Sequence, residues 1–251
     1  MKVVISGKGG SGKSTISSLL AKELSRRGYR VLVIDTDESN FGLHNQLGLT
    51  KPLELMDHLG GKKMMGKKMM ESMSTGAKFT LIDEKWTIAD IPDECLSRKG
   101  DIWLMQIGKV RHFSEGCACP MGSLAREFLE KLTVNDDEIV IVDTEAGIEH
   151  MGRGVEKGCD LVLMVVDPSN ESIRLSEKIG VIMEEAGKPV HIVLSKIDDR
   201  TEPLLRDKIR LPVVASVPFD LKIFSSGLMG DELTCSSSGV MELATFVEEM
   251  R

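Results

Sequence analysis

Gly7-Lys8-Gly9-Gly10-Ser11-Gly12-Lys13-Ser14 directly follows the apolar run Val3-Val4-Ile5. The spacing G-x-x-x-x-G-K-S belongs to a loop that wraps a phosphate chain. Gly9, Gly10 and Gly12 permit the tight bend that brings backbone N–H groups up to an anion. A helix starting here turns its positive end to the same place. Lys13 is placed to neutralise β- and γ-phosphates, and the Ser14 hydroxyl to ligate Mg²⁺. Gly7, Gly9 through Ser14, and Thr15 are the expected nucleotide contacts. Ile16, Leu19, Leu20 and Leu24 share one face of the helix after the loop, so the context is strand, loop, helix. A glycine-rich turn alone leaves the lysine and serine unexplained.

Seven apolar runs read as strands: 2–6, 30–35, 102–107, 138–143, 160–166, 190–195 and 212–217. Several are continuous in Val, Ile and Leu, which suits parallel strands covered on both faces. Helical patterns fall at 13–27, 123–132, 169–186 and 238–249. Alternating strand and helix predicts an α/β fold, a doubly wound and mostly parallel sheet with helices on both faces. Ligands of such sheets bind beyond the carboxyl ends of the strands.

The 251 residues fit one domain, 1–251, with 51–101 as an insertion or variable region. Within it, Lys62-Lys63-Met64-Met65-Gly66-Lys67-Lys68-Met69-Met70 is basic and rich in methionine. It reads as a mobile docking surface for an acidic partner, as thioether help in metal handling, or as an amphipathic surface helix with methionines packed inward; the last is preferred. Residues 79–82 and 87–91 are expected to form a small hairpin. A net charge of −7 argues against nucleic-acid binding through overall charge. No run approaches the roughly 20 apolar residues of a membrane span. The first strand-like run begins at Lys2, so no signal peptide is expected. Five cysteines without framework spacing suggest the reducing cytoplasm and free or metal-bound thiols.

Carboxylates stand at the strand ends. The second strand runs into Asp35-Thr36-Asp37-Glu38, where an acid beside a phosphate loop can orient water or the Mg²⁺ shell. Asp35 is expected deeper, toward the loop and metal. Ile139-Val140-Ile141-Val142 ends in Asp143, the Walker B arrangement, whose carboxylate holds a Mg²⁺-bound water. In the following Thr144-Glu145-Ala146-Gly147-Ile148-Glu149-His150, the Gly147 N–H is placed to meet the γ-phosphate. His150 reads equally as a relay toward a metal or as a helix cap. Cys117-Ala118-Cys119 presents two thiols one residue apart, suited to Ni²⁺, Zn²⁺ or Cu⁺. One such pair supplies two ligands where a closed tetrahedral site needs about four, and a two-fold dimer supplies the rest. Cys95, Cys159 and Cys235 read as packing or surface thiols.

Lys8 follows the first glycine of the loop, and Lys8-Gly9-Gly10-Ser11-Gly12-Lys13-Ser14 resembles the deviant Walker A loop of a dimeric P-loop NTPase class. That class includes the nitrogenase iron protein, the Min and Par ATPases and metal-insertion ATPases. The resemblance implies that Lys8 reaches a partner subunit's nucleotide in an ATP-promoted homodimer, and that Asp37 polarises the attacking water. Leu194-Ser195-Lys196-Ile197-Asp198 resembles the N-K-x-D base-reading motif with Ser195 in place of asparagine. Asp198 is the residue guanine would need, so this motif alone leaves GTP open. Val217-Pro218-Phe219-Asp220 resembles the base turn of the adenine-using family, which implies ATP, with Lys196, Pro218 and Asp220 at the base. Taken in order, loop, D-x-D, C-x-C, switch and base turn resemble the CooC-type ATPases that mature carbon monoxide dehydrogenase. The resemblance implies nickel held between Cys117 and Cys119 of two subunits, and a Ni–Fe–S client such as carbon monoxide dehydrogenase or acetyl-CoA synthase. The alternative is a bridging [4Fe–4S] cluster in an electron donor or cluster carrier. A partition ATPase with a DNA or membrane surface is disfavoured by the acidic residues 242–251.

Overall fold

The computed structural model describes residues 1–75, 80, 82, 84–110, 119–147 and 158–251; the side chains of 68, 69, 71–75 and 119 are outside the description. One sheet holds strands β1 (Lys2–Gly7), β2 (Arg30–Asp35), β3 (Ser97–Lys99), β4 (Ile102–Gln106), β5 (Glu138–Asp143), β6 (Leu161–Val166), β7 (Val190–Ile197) and β8 (Val213–Pro218). Their order is β3-β4-β2-β5-β1-β6-β7-β8. Only the β3 pairing is antiparallel among these strands; β4, β2, β5, β1, β6, β7 and β8 run parallel. The doubly wound sheet expected from the apolar runs is therefore the observed fold.

Because side chains alternate across a strand, one strand feeds two cores. Val3 and Ile5 of β1 point to the face covered by helix α1 (Lys13–Arg26) and the C-terminal helix (Ser238–Glu249), where Ile16, Leu20, Leu24, Leu243 and Val247 pack. Val4 points the other way, to a core shared with Phe128, Leu129, Ile179 and Met183. β5 and β6 are buried along their full lengths, as strands covered on both sides must be. Between β1 and β2 the chain crosses over β5, so the carboxyl ends of β1, β2 and β5 lie side by side.

The region 51–101 is not set apart from the sheet. Met65, Ile82, Ile88, Ile91 and Cys95 enter the second core, and β3 extends the sheet edge. The basic, methionine-rich stretch is helical over Gly61–Thr75. Met65 is buried, whereas Met64 and Met70 are exposed, so only part of the inward packing expected is found. The hairpin expected over 79–82 and 87–91 is corrected in its second arm. Ile88–Asp90 is a short 3-10 turn, closed by Thr87 and Asp90 in a reciprocal capping box. Residues 79 and 81 of the first arm lie outside the described residues. Among the described residues no helix is long and apolar enough to cross a membrane.

Candidate nucleotide site

Gly7 ends β1 with φ +152°, and a Cβ there would sit 2.6 Å from the Val165 carbonyl oxygen. Gly12 caps α1 at φ +103°, in the left-handed region that glycine enters without cost. No side chain caps this helix and no acid occupies its first turn. Its leading N–H groups are thus left for a phosphate. By contrast the helix Asn170–Glu185 is capped by Ser169, and Leu221–Met229 by Asp220. The buried Ser11 hydroxyl has no hydrogen-bond partner among the described residues.

Lys13 is almost fully buried, and its Nζ donates to the Lys8 carbonyl at 3.2 Å. Burial lowers its pKa, opposed by the charges of Asp143, Asp37 and Glu145. The Ser14 hydroxyl donates to Asp143 Oδ2 at 2.6 Å and accepts from Asn40 Nδ2 at 2.8 Å. Ser17 donates to the other Asp143 oxygen at 2.9 Å. Asp143 is fully buried. Burial first, and the neighbouring Asp35 charge second, push its carboxyl up to about 7. Its strand partners in register are Ile5 of β1 and Asp35 of β2. This set of hard oxygen donors fits Mg²⁺.

Asp37 is buried beside the phosphate loop. Its Oδ1 accepts from the Ser39 N–H, the Ser39 hydroxyl and the Asn40 N–H, which folds the loop into a turn. Asp35 is the deeper of the two acids and stands beside Asp143 in the β2–β5 register. It is fully buried, and Lys109 pairs with its Oδ2 at 2.7 Å. Gly147 sits at φ +103° and its N–H donates to the Gly7 carbonyl at 3.2 Å, so the switch loop already touches the phosphate loop.

A cleft of about 570 Å³ runs from the phosphate loop to the end of β8. Gly9, Gly10, Gly12, Lys13, Ser14 and Thr15 line one end, with Asp37 beside them. Lys196, Pro218 and Asp220 line the other. Lys196 adopts φ +56° at an irregularity in the β7–β8 pairing, and its Nζ reaches the Gly10 carbonyl at 2.6 Å. The Phe219 and Phe224 rings, 5.9 Å apart, make this end apolar enough for a flat base. Asp220 spends one carboxyl oxygen on the N–H groups of Lys222 and Ile223. Asp198 caps Arg200 and Thr201 and does not line the cleft.

Lys8 pairs with Asp167 at 3.2 Å and is not among the residues that line the cleft. Cys117 and His150 lie outside the described residues, as does the Cys119 side chain. Among the described residues no group of three His, Cys, Asp or Glu could hold a metal ion. Sequence reasoning overlooked Asn40, Ser17 and Lys109. Asn40 carried a usable signal, three residues past Asp37 in the same polar loop; Lys109 carried none.

A family model, CbiA, described as the CobQ/CobB/MinD/ParA nucleotide binding domain, matches residues 2–233. The chain is 48% identical over 244 residues to an uncharacterized ATP-binding protein of Methanocaldococcus jannaschii, covering 97% of this chain and 98% of that one. It is 33% identical over 243 residues to the carbon monoxide dehydrogenase accessory protein CooC of Rhodospirillum rubrum, covering 94% and 89%. In structure it resembles the septum site-determining protein MinD of Pyrococcus horikoshii, complexed with Mg-ADP, at TM-score 0.72 and 18% identity over 99% and 96% of the two chains. That last likeness speaks to the fold.

Proposed function

The chain belongs to the CobQ/CobB/MinD/ParA family of P-loop nucleotide-binding domains and is an ATPase of that class; from this premise we propose that it is a metallochaperone for a Ni–Fe–S enzyme. ATP lies in the cleft with its triphosphate on the Gly7–Thr15 loop and its adenine by Lys196, Pro218 and Phe219. Lys13 neutralises the β- and γ-phosphates. Ser14, backed by Asp143, would hold Mg²⁺, which would supply further charge neutralisation at the phosphates. Asp37 orients the water that attacks the γ-phosphorus. The bond from phosphorus to the β–γ bridging oxygen breaks, and ADP and phosphate leave. Gly147 N–H exchanges the Gly7 carbonyl for the γ-phosphate, which couples the switch loop to the nucleotide.

The observation that carries the metal reading is Cys117-Ala118-Cys119 in a chain 33% identical to CooC. Two subunits together supply four thiolates, and Ni²⁺ or Zn²⁺ is the cargo. Lys8 must leave Asp167 to reach a partner's nucleotide, so ATP closes the dimer over the thiols and hydrolysis reopens it. Thr144-Glu145-Ala146 follows β5 without a cysteine, which speaks against a second cluster ligand there.

The test is activation of nickel-free carbon monoxide dehydrogenase by the protein with Ni²⁺ and ATP, under anaerobic conditions. Activation is expected with ATP and not with ADP, and is expected to vanish in Cys117→Ala and Cys119→Ala. Equal activation by both variants would refute the chaperone reading. A brown protein that activates nothing would favour the cluster carrier.

A further inference from the structure

Asp37 can act on water only if its loop is held, and the residue that holds it is neither in the phosphate loop nor in a recognised motif. Lys109 lies three residues past β4, and its side chain is fully buried. A buried ammonium is unfavourable unless its donors are taken up. Here Nζ pairs with Asp35 Oδ2 at 2.7 Å and also donates to the backbone carbonyl of Asp37. Asp35 in turn accepts from the Asp37 N–H at 3.2 Å through Oδ1, and from Gln106 Nε2 at 3.0 Å through Oδ2. Both polar groups of the Asp37 main chain are therefore fixed by one buried ion pair.

The backbone around Lys109 repeats the attachment. Ile107 N–H donates to the Asp35 carbonyl at 3.0 Å, and Val110 N–H to the Glu38 carbonyl at 3.1 Å. Lys109 N–H donates to Glu54 Oε2 at 3.0 Å. The loop Asp35–Glu38 is thus laced along its length to residues 107–110. Those residues lead in sequence to Cys117, eight positions beyond Lys109.

We propose that Lys109 is the positioning residue for Asp37, holding the loop responsible for hydrolysis from the chain just past β4. A pair serving stability alone needs only the carboxylate of Asp35. The second contact, to the Asp37 carbonyl, is the one that aims the neighbouring side chain. A displacement of about 1 Å at such a group is enough to lower turnover by on the order of 10²-fold. The proposal rests on the reading of Asp37 as the group that orients water.

The test compares Lys109→Met, Lys109→Met/Asp35→Asn and Asp37→Asn in the full-length protein. The double variant removes both charges, so neither is left buried alone. ATP turnover, affinity for a non-hydrolysable ATP analogue, and thermal midpoint are measured for each. The expected result for the double variant is a near wild-type midpoint, analogue affinity within about three-fold, and kcat lowered by roughly 10- to 100-fold. A merely structural pair would leave kcat untouched once the midpoint is restored. An inactive Asp37→Asn beside a fully active double variant overturns the Lys109 assignment alone. An Asp37→Asn chain hydrolysing at the wild-type rate overturns the reading of Asp37 beneath it.

Discussion

Asp143 is fully buried at the end of β5, between β1 and β2, where its proposed part in holding Mg²⁺ would call for a charge. Burial, with Asp35 beside it, raises its carboxyl from the ordinary 3.8 to about 7. The folded chain therefore holds this proton more tightly than the unfolded chain. Its contribution to stability is complete below the unfolded value and is lost as pH rises through about 7. Without Mg²⁺ or nucleotide, Asp143→Asn is expected to melt above the wild type at about pH 8 and to lose that advantage near pH 4. Its ATP turnover is expected to fall by at least ~10²-fold, since the neutral amide no longer supports the metal. Thermal scans across pH check the first expectation and phosphate release the second. The described thiols outside the C-x-C pair differ in burial: Cys95 and Cys159 are buried and Cys235 is partly exposed. Burial, with Glu94 adding to it, pushes Cys95 up to about 11. In native protein at about pH 8, iodoacetamide is expected to label Cys235 ahead of Cys95 and Cys159, which react only after unfolding. Mass spectrometry of the peptides reads this out. The meeting of Asp143 and Ser14 was legible in the sequence because their places at a strand end and a glycine-rich loop follow from spacing. Lys109 was not, because its role is to meet two groups brought over from β2.

At the scale of elements, α1 does two jobs. Its first turn leaves N–H groups for phosphate, and its apolar face packs on β1 and β2 through Ile16, Leu20 and Leu24. Leu20→Ala is expected to cost about 2–5 kcal/mol in urea unfolding. A loss below about 1 kcal/mol would mean that the helix is anchored by its loop and not by this face. The continuous apolar strands were readable for the same reason that they are stable: each is buried on two sides. The short helix Leu221–Met229 was not readable. None of its residues is buried, and Phe224 and Leu228 stay exposed beside the cleft, so no inward-facing stripe marks it. Its start is set by Asp220, and Asp220→Ala is expected to cost about 0.5–2 kcal/mol. The hairpin expected near residue 87 failed for a local reason. Thr87 and Asp90 satisfy each other's backbone three residues apart, and that favours a tight turn over a strand.

At the scale of the molecule, the proposed function draws on three places in one chain: a nucleotide cleft, a loop bearing Asp37, and the sequence past Lys109 that leads to Cys117 and Cys119. Lys8 lies outside the cleft, paired with Asp167, whose carboxyl is brought below its ordinary value by Ser172, Ser169 and Lys8 against the opposing effect of burial. On the proposed reading Lys8 serves a partner's nucleotide. Lys8→Ala is expected to remain monomeric with ATP where the wild type dimerises, as light scattering would read. The motifs behind this scheme are local in sequence and could be recognised there, whereas the contacts that connect them are long-range and only folding reveals them. The most direct measurement is nickel content together with molar mass, taken on anaerobic protein with ATP and Mg²⁺. The account predicts a dimer with about one nickel for every two chains, lost in Cys117→Ala and in Cys119→Ala. Nickel retained by both variants, or bound one per monomeric chain, would contradict it.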